Sequence, residues 1–402
     1  MNKSTFFTGQ PIFSQIIDLL SISRINKIAH RHRTDRYCKK FSTHGHLIVM
    51  LYAIFNRCTS IREVVTGLLA CHSKLHHLGM NYSIRKSTLS DANRRRTSDV
   101  FEAIYMDLYN RCAKSLPDSR SRKWFSRLYI MDSTTISLFQ EILKNAGLSS
   151  LNGKRKGGIK AHTLMKADED VPQLVRLTAA ASNDTNFMSQ IHLPKGSILT
   201  FDRGYNDYSQ LIRWGNNQVT WVTRLRKLTA MESPKPKQVS HYQKTHGVVS
   251  DSLVRIGWQK KIKLQARIIV YYDAKEKRTF EFLTNNLEFS PLTIAQIYQR
   301  RWQIETLFKR IKQNYPLRNF LGDNENAIRI QVWCALIADL LLKIISKQIK
   351  RAWSFANLSS MIRLHLMTYI NLRKFLNGPE KALKEFYSFS NYSPIQKSLF
   401  VT

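Results

Sequence analysis

Apolar positions recur at helical spacing through the first 120 residues. Leu47, Ile48, Met50, Leu51, Ile54 and Phe55 form one such run, and Phe101, Ile104, Tyr105 and Leu108 form another. Pro117 to Arg122 reads as a linker, and beyond it the period becomes that of strands. Leu128-Tyr129-Ile130-Met131 leads into Asp132 and then Thr134 to Phe139. Ile159 to Met165 alternates, Leu174 to Ala180 is a further strand, and Ile198-Leu199-Thr200-Phe201 is a buried strand that ends at Asp202. Arg203 and Gly204 turn the chain. Short helices are expected at Phe187–Leu193 and over 206–215, and Val219 to Thr223 is again a strand. Residues 224 to about 280 interrupt this order with Pro234, Pro236, many lysines and β-rich text over Leu264 to Tyr272. Phe280 to Thr284 is another strand. Pro291 starts a long helix that runs past Glu305, and further helices close the chain.

Three antiparallel strands, a helix, then alternating strand and helix is a ribonuclease-H-like order, so the fold class expected is α/β. The chain has 402 residues, enough for two or three domains and a substantial core. Lys and Arg outnumber Asp and Glu 63 to 28, a formal charge of +35 spread along the chain. A field of that sign favours a polyanion as partner. A ribosomal or RNA-coating protein shares such charge, but 43% hydrophobic residues argue for a folded enzyme with a basic surface. The five cysteines, Cys38, Cys58, Cys71, Cys112 and Cys334, lack zinc-finger spacing, and an odd count argues for reduced thiols. No signal-peptide pattern opens the chain. Ile328 to Ile345 is the longest apolar stretch, but it contains Arg329, Asp339 and Lys343 and is expected as a buried helix rather than a membrane span.

Basic residues are densest near the N-terminus. Arg24, Lys27, Arg31, Arg33, Arg36, Lys39 and Lys40 face only Asp35. Ser83 to Arg96 reads SIRKSTLSDANRRR, a short helix capped by Thr88 or Ser90 and ending in Arg94, Arg95 and Arg96. Such a helix suits a helix-turn-helix recognition element. A solvated charged helix is the alternative, and two basic segments in one chain favour DNA. Lys154, Arg155 and Lys156 form a further candidate DNA-facing loop.

The densest chemistry lies in one run: Tyr298, Arg301, Glu305 and Lys312 stand at offsets of 3, 7 and 14, which one continuous helix keeps on one face. Glu305 can bind a metal, and Arg301 and Lys312 can hold phosphates. Asp132 and Asp202 each come after four strand-like residues, and neighbouring strands would bring those ends together. Phosphodiester chemistry needs two divalent ions about 4 Å apart rather than a side-chain nucleophile. Mg²⁺ takes oxygen ligands and keeps several waters, so two or three carboxylates suffice. Taken singly, each aspartate reads as a turn or cap residue; the three acids together make the stronger case. Asp184 and Asp207 compete with them but sit where a helix N-cap is the commoner role. His162 lies in a strand and is expected to be structural. The histidines His30, His32, His44, His46, His72, His76 and His77 form no credible zinc site.

YIMDSTTI around Asp132, TFDRGY around Asp202 and YQRRWQIETLFKRIK around Glu305 resemble the DDE transposases of bacterial insertion sequences, in particular the group with the Y-(2)-R-(3)-E-(6)-K signature. The resemblance covers about 125 to 345, with all four signature positions present; Asn285-Asn286 and Gly158 to Thr163 are also similar. It implies a ribonuclease-H-like catalytic core interrupted by a β-rich insertion, with a helical N-terminal DNA-binding region and C-terminal helices. The corresponding divisions are 1–120, 124–223, 224–284, 285–345 and 346–402. It implies Asp132, Asp202 and Glu305 as ligands of two Mg²⁺ ions, with Mn²⁺ as a substitute. Tyr298, Arg301 and Lys312 would contact DNA near the cut end. It implies double-stranded DNA as partner, both element ends and target, a homodimer that pairs two ends, and a cytoplasmic, nucleoid-associated bacterial enzyme. Members of the group flip a base onto an aromatic side chain. Trp221 and Trp258 are candidates, although burial is the expectation for each; Trp302, off the signature face, is expected in the core.

The leading expectation is thus a cut-and-paste transposase that binds terminal inverted repeats, cleaves with Mg²⁺ and joins 3′-hydroxyls to target DNA. A sequence-specific DNA-binding protein without catalysis is one alternative, though it gains nothing from acids facing phosphate. A nuclease on the same fold, cutting without joining, is the other.

Overall fold

The computed structural model describes residues 9–117, 124–137, 158–179, 185–205, 207–226, 229, 231–258 and 262–390. They fall into two compact units. One comprises the described residues up to Ser115 and from Arg310 onward; the other comprises those from Leu116 to Lys309. The chain beyond Arg310 therefore groups with the N-terminal helices, and the divisions expected at 284 and 345 are not those of the compact units.

The helical unit opens with α1 (Ile12–Ile17), α2 (Ile22–Arg31), α3 (Thr43–Asn56), α4 (Ile61–Ala70), α5 (Lys86–Arg95) and α6 (Asp99–Cys112). Ser42 caps α3 by accepting from the Gly45 N–H, and Arg57 ends it in the left-handed region, at φ 57°. Nearly every residue of α3 is buried, as its apolar content on all faces demands. Thr88 and Ser90 do not cap α5: they lie inside it, and Arg85, which occupies the capping position before Lys86, makes no side-chain cap.

The second unit is built on a nine-stranded sheet. Its strands are β1 (Leu128–Ser137), β2 (Gly158–Lys166), β3 (Val171–Ala179), β4 (Ile198–Phe201), β5 (Thr220–Arg224), β6 (Met231–Pro236), β7 (Val248–Trp258), β8 (Ile262–Asp273) and β9 (Arg278–Thr284). Their order is β3-β2-β1-β4-β5-β9-β8-β7-β6. The first three strands are antiparallel, and β1, β4 and β5 are parallel, as the sequence pattern leads one to expect. Gly158 is required at the start of β2, because a Cβ there would meet the Ile136 carbonyl oxygen at 2.6 Å. The β-rich text after β5 does not form a separate sheet: β9 pairs antiparallel with β5, and the meander back to β6 extends the same sheet.

Helices α7 (Thr185–Met188), α8 (Tyr208–Asn216) and α9 (His241–Thr245) belong to this unit. Phe187, Leu211 and Trp214 share a buried core with Met131, Phe201, Trp221 and Ile256. The two indoles lose no hydrogen bond on burial, since Trp214 donates to the Ile191 carbonyl and Trp221 to the Leu211 carbonyl.

Two helices occupy the stretch where the sequence suggested one. These are α10 (Pro291–Gln299) and α11 (Trp302–Asn314), separated at Arg300 and Arg301. Around the joint, N–H groups reach back three residues instead of four: Arg301 donates to Tyr298 and Gln303 to Arg300. Ser290 caps α10 and Pro291 stands in its first turn. Its approach is pinned on both sides. Asn285 accepts from the Trp221 N–H and donates to the Val219 carbonyl. The Arg267 guanidinium takes both oxygens of buried Asp251, at 2.8 and 2.7 Å, and donates to the Phe289 carbonyl.

Beyond Arg310 the helical unit resumes with α12 (Glu325–Gln348), α13 (Phe355–Leu364), α14 (Leu372–Asn377) and α15 (Pro379–Ser390). The 24 residues of α12 run against α3 and α6. Asp339, buried within it, is held by both oxygens to Arg310 at 3.1 and 2.9 Å. Among the described residues no helix is long and apolar enough to cross a membrane.

Candidate active site

Parallel pairing of β1 and β4 sets Met131 opposite Phe201. The next residue on each strand is an aspartate, so Asp132 and Asp202 emerge side by side. Asp132 is succeeded by five more residues of β1, whereas Asp202 lies just past the end of β4. Pairing of β4 with β5 sets Thr200 opposite Val222, and two residues on in each strand stand Asp202 and Arg224. Glu305 comes from the first turn of α11, where a carboxylate is favoured by the helix dipole.

Two guanidiniums gather these acids. Arg301 Nη1 donates to Asp132 at 3.2 Å while Nη2 lies 2.6 Å from Glu305. Arg224 Nη2 donates to Asp202 at 2.8 Å. The buried Tyr298 hydroxyl approaches the same Asp202 oxygen at 3.4 Å, and its ring has Arg224 and Arg301 each 5.8 Å from its centre. Burial pushes the Asp132 carboxyl up to about 6, with Asp202 and Glu305 adding to the effect and the Ser133 N–H and Arg301 opposing it. Burial also opposes ionisation of Asp202, but the hydrogen bond and charge of Arg224 outweigh it and hold this carboxyl below its usual value. Burial raises the Tyr298 hydroxyl, which keeps it protonated as a donor.

With all groups ionised, three carboxylates and two guanidiniums leave one excess negative charge, the wrong sign to receive a phosphodiester. A bound cation would reverse it. Hard oxygen donors on three separate elements suit a divalent ion such as Mg²⁺ or Mn²⁺. The carboxylates do not close into a cluster on their own: among the described residues no three His, Cys, Asp or Glu side chains are grouped to hold an ion. Arg301 stands between Asp132 and Glu305.

The structure brings together Asp132, Asp202, Glu305, Tyr298 and Arg301. The single-helix face does not survive the break at Arg301, and the residues meet because the joint turns Tyr298 and Arg301 onto the acids. Both are buried against carboxylates rather than offered to solvent. Lys312 is exposed seven residues further along α11, in the portion grouped with the helical unit. Arg224 is the residue at this site that the sequence pattern did not disclose; its signal is a charged residue closing an otherwise uncharged strand, level with Asp202 in the parallel register.

Other expectations resolve differently. Arg94 and Arg95 are exposed and both pair with Asp91. Arg96, expected to face DNA, is only 8% exposed and donates to the Phe41 carbonyl and Asp35. Trp221 is fully buried, which removes it as a surface for a flipped base, while the side chain of Trp258 lies outside the described residues. Trp302 is 50% exposed rather than in the core, with Arg301 5.6 Å from its ring. His162 is a buried structural residue, bonded to Thr178 and stacked on Phe187. Asp207 caps α8 by accepting from Ser209 and Gln210. Lys154, Arg155, Lys156 and Asp184 lie outside the described residues. The five cysteines are free thiols.

The three acids are thus drawn from two parallel strands and a later helix and linked through Arg301 and Arg224. The chain belongs to the transposase DDE domain family, which residues 123–341 match. Residues 8–81 match a second family, described as a domain of unknown function (DUF4372). The chain is 30% identical over 262 residues to the putative transposase y4zB of Sinorhizobium fredii (strain NBRC 101917 / NGR234), covering 64% of this chain and 71% of that protein. It is 24% identical over 294 residues to a probable transposase for insertion sequence element IS5377 of Geobacillus stearothermophilus, covering 73% of each. Among solved structures it is similar to a cryo-EM structure of the piggyBac transposase synaptic complex with hairpin DNA, at a TM-score of 0.45 and 12% identity, covering 99% of this chain and 85% of that one.

Proposed function

We propose that the chain is the transposase of a bacterial insertion sequence, acting in the cytoplasm on nucleoid DNA. It binds the element's terminal inverted repeats as a homodimer, cleaves them, and joins the freed 3′-hydroxyls to target DNA. The observation that carries this reading is the convergence of Asp132, Asp202 and Glu305 on Arg301 and Arg224. The strand order and directions of β1 to β5 support a ribonuclease-H-like core, and Tyr298, Arg301 and Glu305 meeting at one point supports the Y-(2)-R-(3)-E-(6)-K group.

Asp132, Asp202 and Glu305 are the residues that would hold two Mg²⁺ ions. Such ions supply an activated water or 3′-hydroxyl and charge neutralisation at the leaving oxygen. Arg224 keeps Asp202 ionised and fixed in orientation. Arg301 holds Asp132 and Glu305 toward one another, and its charge offsets their repulsion. Tyr298 fixes the ring plane on which both guanidiniums rest. Lys312 and the exposed Arg94 and Arg95 are assigned to DNA phosphates, whose contacts position a duplex without reading it.

The test uses purified protein and a duplex carrying the DNA that flanks its gene, with Mg²⁺, Mn²⁺ or EDTA, and a supercoiled target. Strand-transfer products in either metal and none in EDTA are expected. Cutting without joining would identify a nuclease, and metal-independent binding without cutting would identify a non-catalytic DNA-binding protein.

A further inference from the structure

A second charged site lies wholly within the helical unit. The loop after α2 and one face of α5 enclose an open groove of about 920 Å³. Arg85, just ahead of α5, lines one wall together with Thr88 and Arg95, which are spaced seven apart on one face of that helix. Arg33, Arg36, Lys39 and Lys40 line the other. The nearby acids are already engaged. Asp91 pairs with Arg94 and Arg95, while Asp35 accepts from Thr43 and Arg96. Among the described residues Arg33, Arg36, Lys39, Lys40 and Arg85 have no ion-pair partner. Several like charges are therefore held around one cavity, which costs free energy that an anion would recover.

The loop is built to stay in place. Arg33 and Tyr37 both sit in the left-handed region, at φ 55° and 61°, a strained setting for side chains of their size. Tyr82 donates to the Lys40 carbonyl at 2.8 Å, the Cys38 thiol donates to the Phe41 carbonyl, and Arg96 binds the same carbonyl from beneath. This scaffold presents Tyr37, whose side chain is 87% exposed at the groove with the Arg36 guanidinium 5.0 Å from its ring. A rigid, strained support for an exposed aromatic among unpaired cations has the composition of a nucleic-acid stacking platform.

We propose that this groove binds an unpaired stretch of DNA, with its cations on the phosphates and a base stacked on Tyr37. Duplex interior bases have no free face, so the occupant is a frayed or single-stranded end. The proposal deepens the transposase reading, which supplies DNA as the polyanion, and gives residues 32–41 a task.

The test measures fluorescence anisotropy of the full chain with a blunt duplex and with the same duplex carrying a single-stranded overhang. Wild type is expected to prefer the overhang. Tyr37→Ala should weaken overhang binding by about 5- to 150-fold, the range for one lost base stack, and leave the blunt duplex within about twofold. Tyr37→Phe should bind as wild type, since the ring and not the hydroxyl is used. Replacing Arg33 and Lys39 by Gln should weaken both probes and flatten the salt dependence by about one unit of slope per lost phosphate contact. Equal affinity of wild type for the two probes, or no effect of Tyr37→Ala, overturns the inference. If that happens in a protein that still excises its element, the transposase reading stands; a wild type that neither binds DNA nor excises overturns both.

Discussion

Arg224, the last residue of β5, donates to Asp202 at the end of the parallel strand β4 across 2.8 Å. The contact ties one carboxylate of the site to the sheet and keeps it ionised. Arg224→Gln removes that charge, so the Asp202 carboxyl moves up and loses its fixed orientation. Excision should fall by about 10- to 100-fold, the usual cost of removing a residue that orients a ligand, with DNA affinity little changed. Wild-type excision by the variant would mean that Arg224 plays no part.

Asp132→Asn and Asp202→Asn each remove one acid from the site while keeping its shape. Each variant should retain binding to element ends in a mobility-shift assay and lose cleavage in Mg²⁺ and Mn²⁺. Cleavage by Asp202→Asn would reassign the second acid.

His46 gives the helical unit a pH dependence. It is buried between Phe41 and Phe101, its Nε2 faces the Asn93 side-chain oxygen at 2.8 Å, and its Nδ1 has no hydrogen-bond partner. Burial pushes its pKa down to about 3, aided by Arg96. The neutral ring is therefore the folded form. Its contribution is complete above about pH 6.5, where the unfolded histidine is also neutral. It is lost at about 1.4 kcal/mol per pH unit as pH falls from there towards 3. Urea unfolding of wild type and His46→Gln across that window should show the wild-type advantage shrinking. A constant difference would place His46 in contact with water.

Asp339 and Arg310 form a buried ion pair, with Asp339 only 1% exposed and the guanidinium resting 4.9 Å from the Phe355 ring. Asp339→Ala strands a buried cation and should cost about 3–5 kcal/mol of stability in a denaturant titration. Combining Asp339→Leu with Arg310→Met should restore much of the loss. A mild effect of Asp339→Ala alone would show that Arg310 reaches solvent once released.

The sequence revealed the strands leading to Asp132 and Asp202 because both are short apolar runs broken by an acid, and parallel pairing then places such ends together. Glu305 was legible from its basic and aromatic setting. The break at Arg301 was not, because periodicity measures spacing and is blind to the local turn that replaces α-helical bonds with shorter ones. Arg96 misled for a related reason: three successive arginines on a helix end point in different directions, and one of them turns inward onto Phe41. The text after β5 has a strand-like pattern, but nothing in its alternation reveals that β9 pairs with β5 and continues the same sheet. The grouping of α12 with α3 and α6 was equally hidden, since it depends on contacts between segments more than two hundred residues apart. Arg224 is hidden in the sequence because its place depends on register with β4, which emerges only from the folded sheet.

The most direct measurement is excision in cells of a marker flanked by the gene's own bordering DNA, with wild type beside Glu305→Gln. Excision by wild type and none by the variant is expected, because Glu305 is the acid that the third element contributes to the site. Equal excision by both would contradict the assignment of Asp132, Asp202 and Glu305 as one catalytic unit.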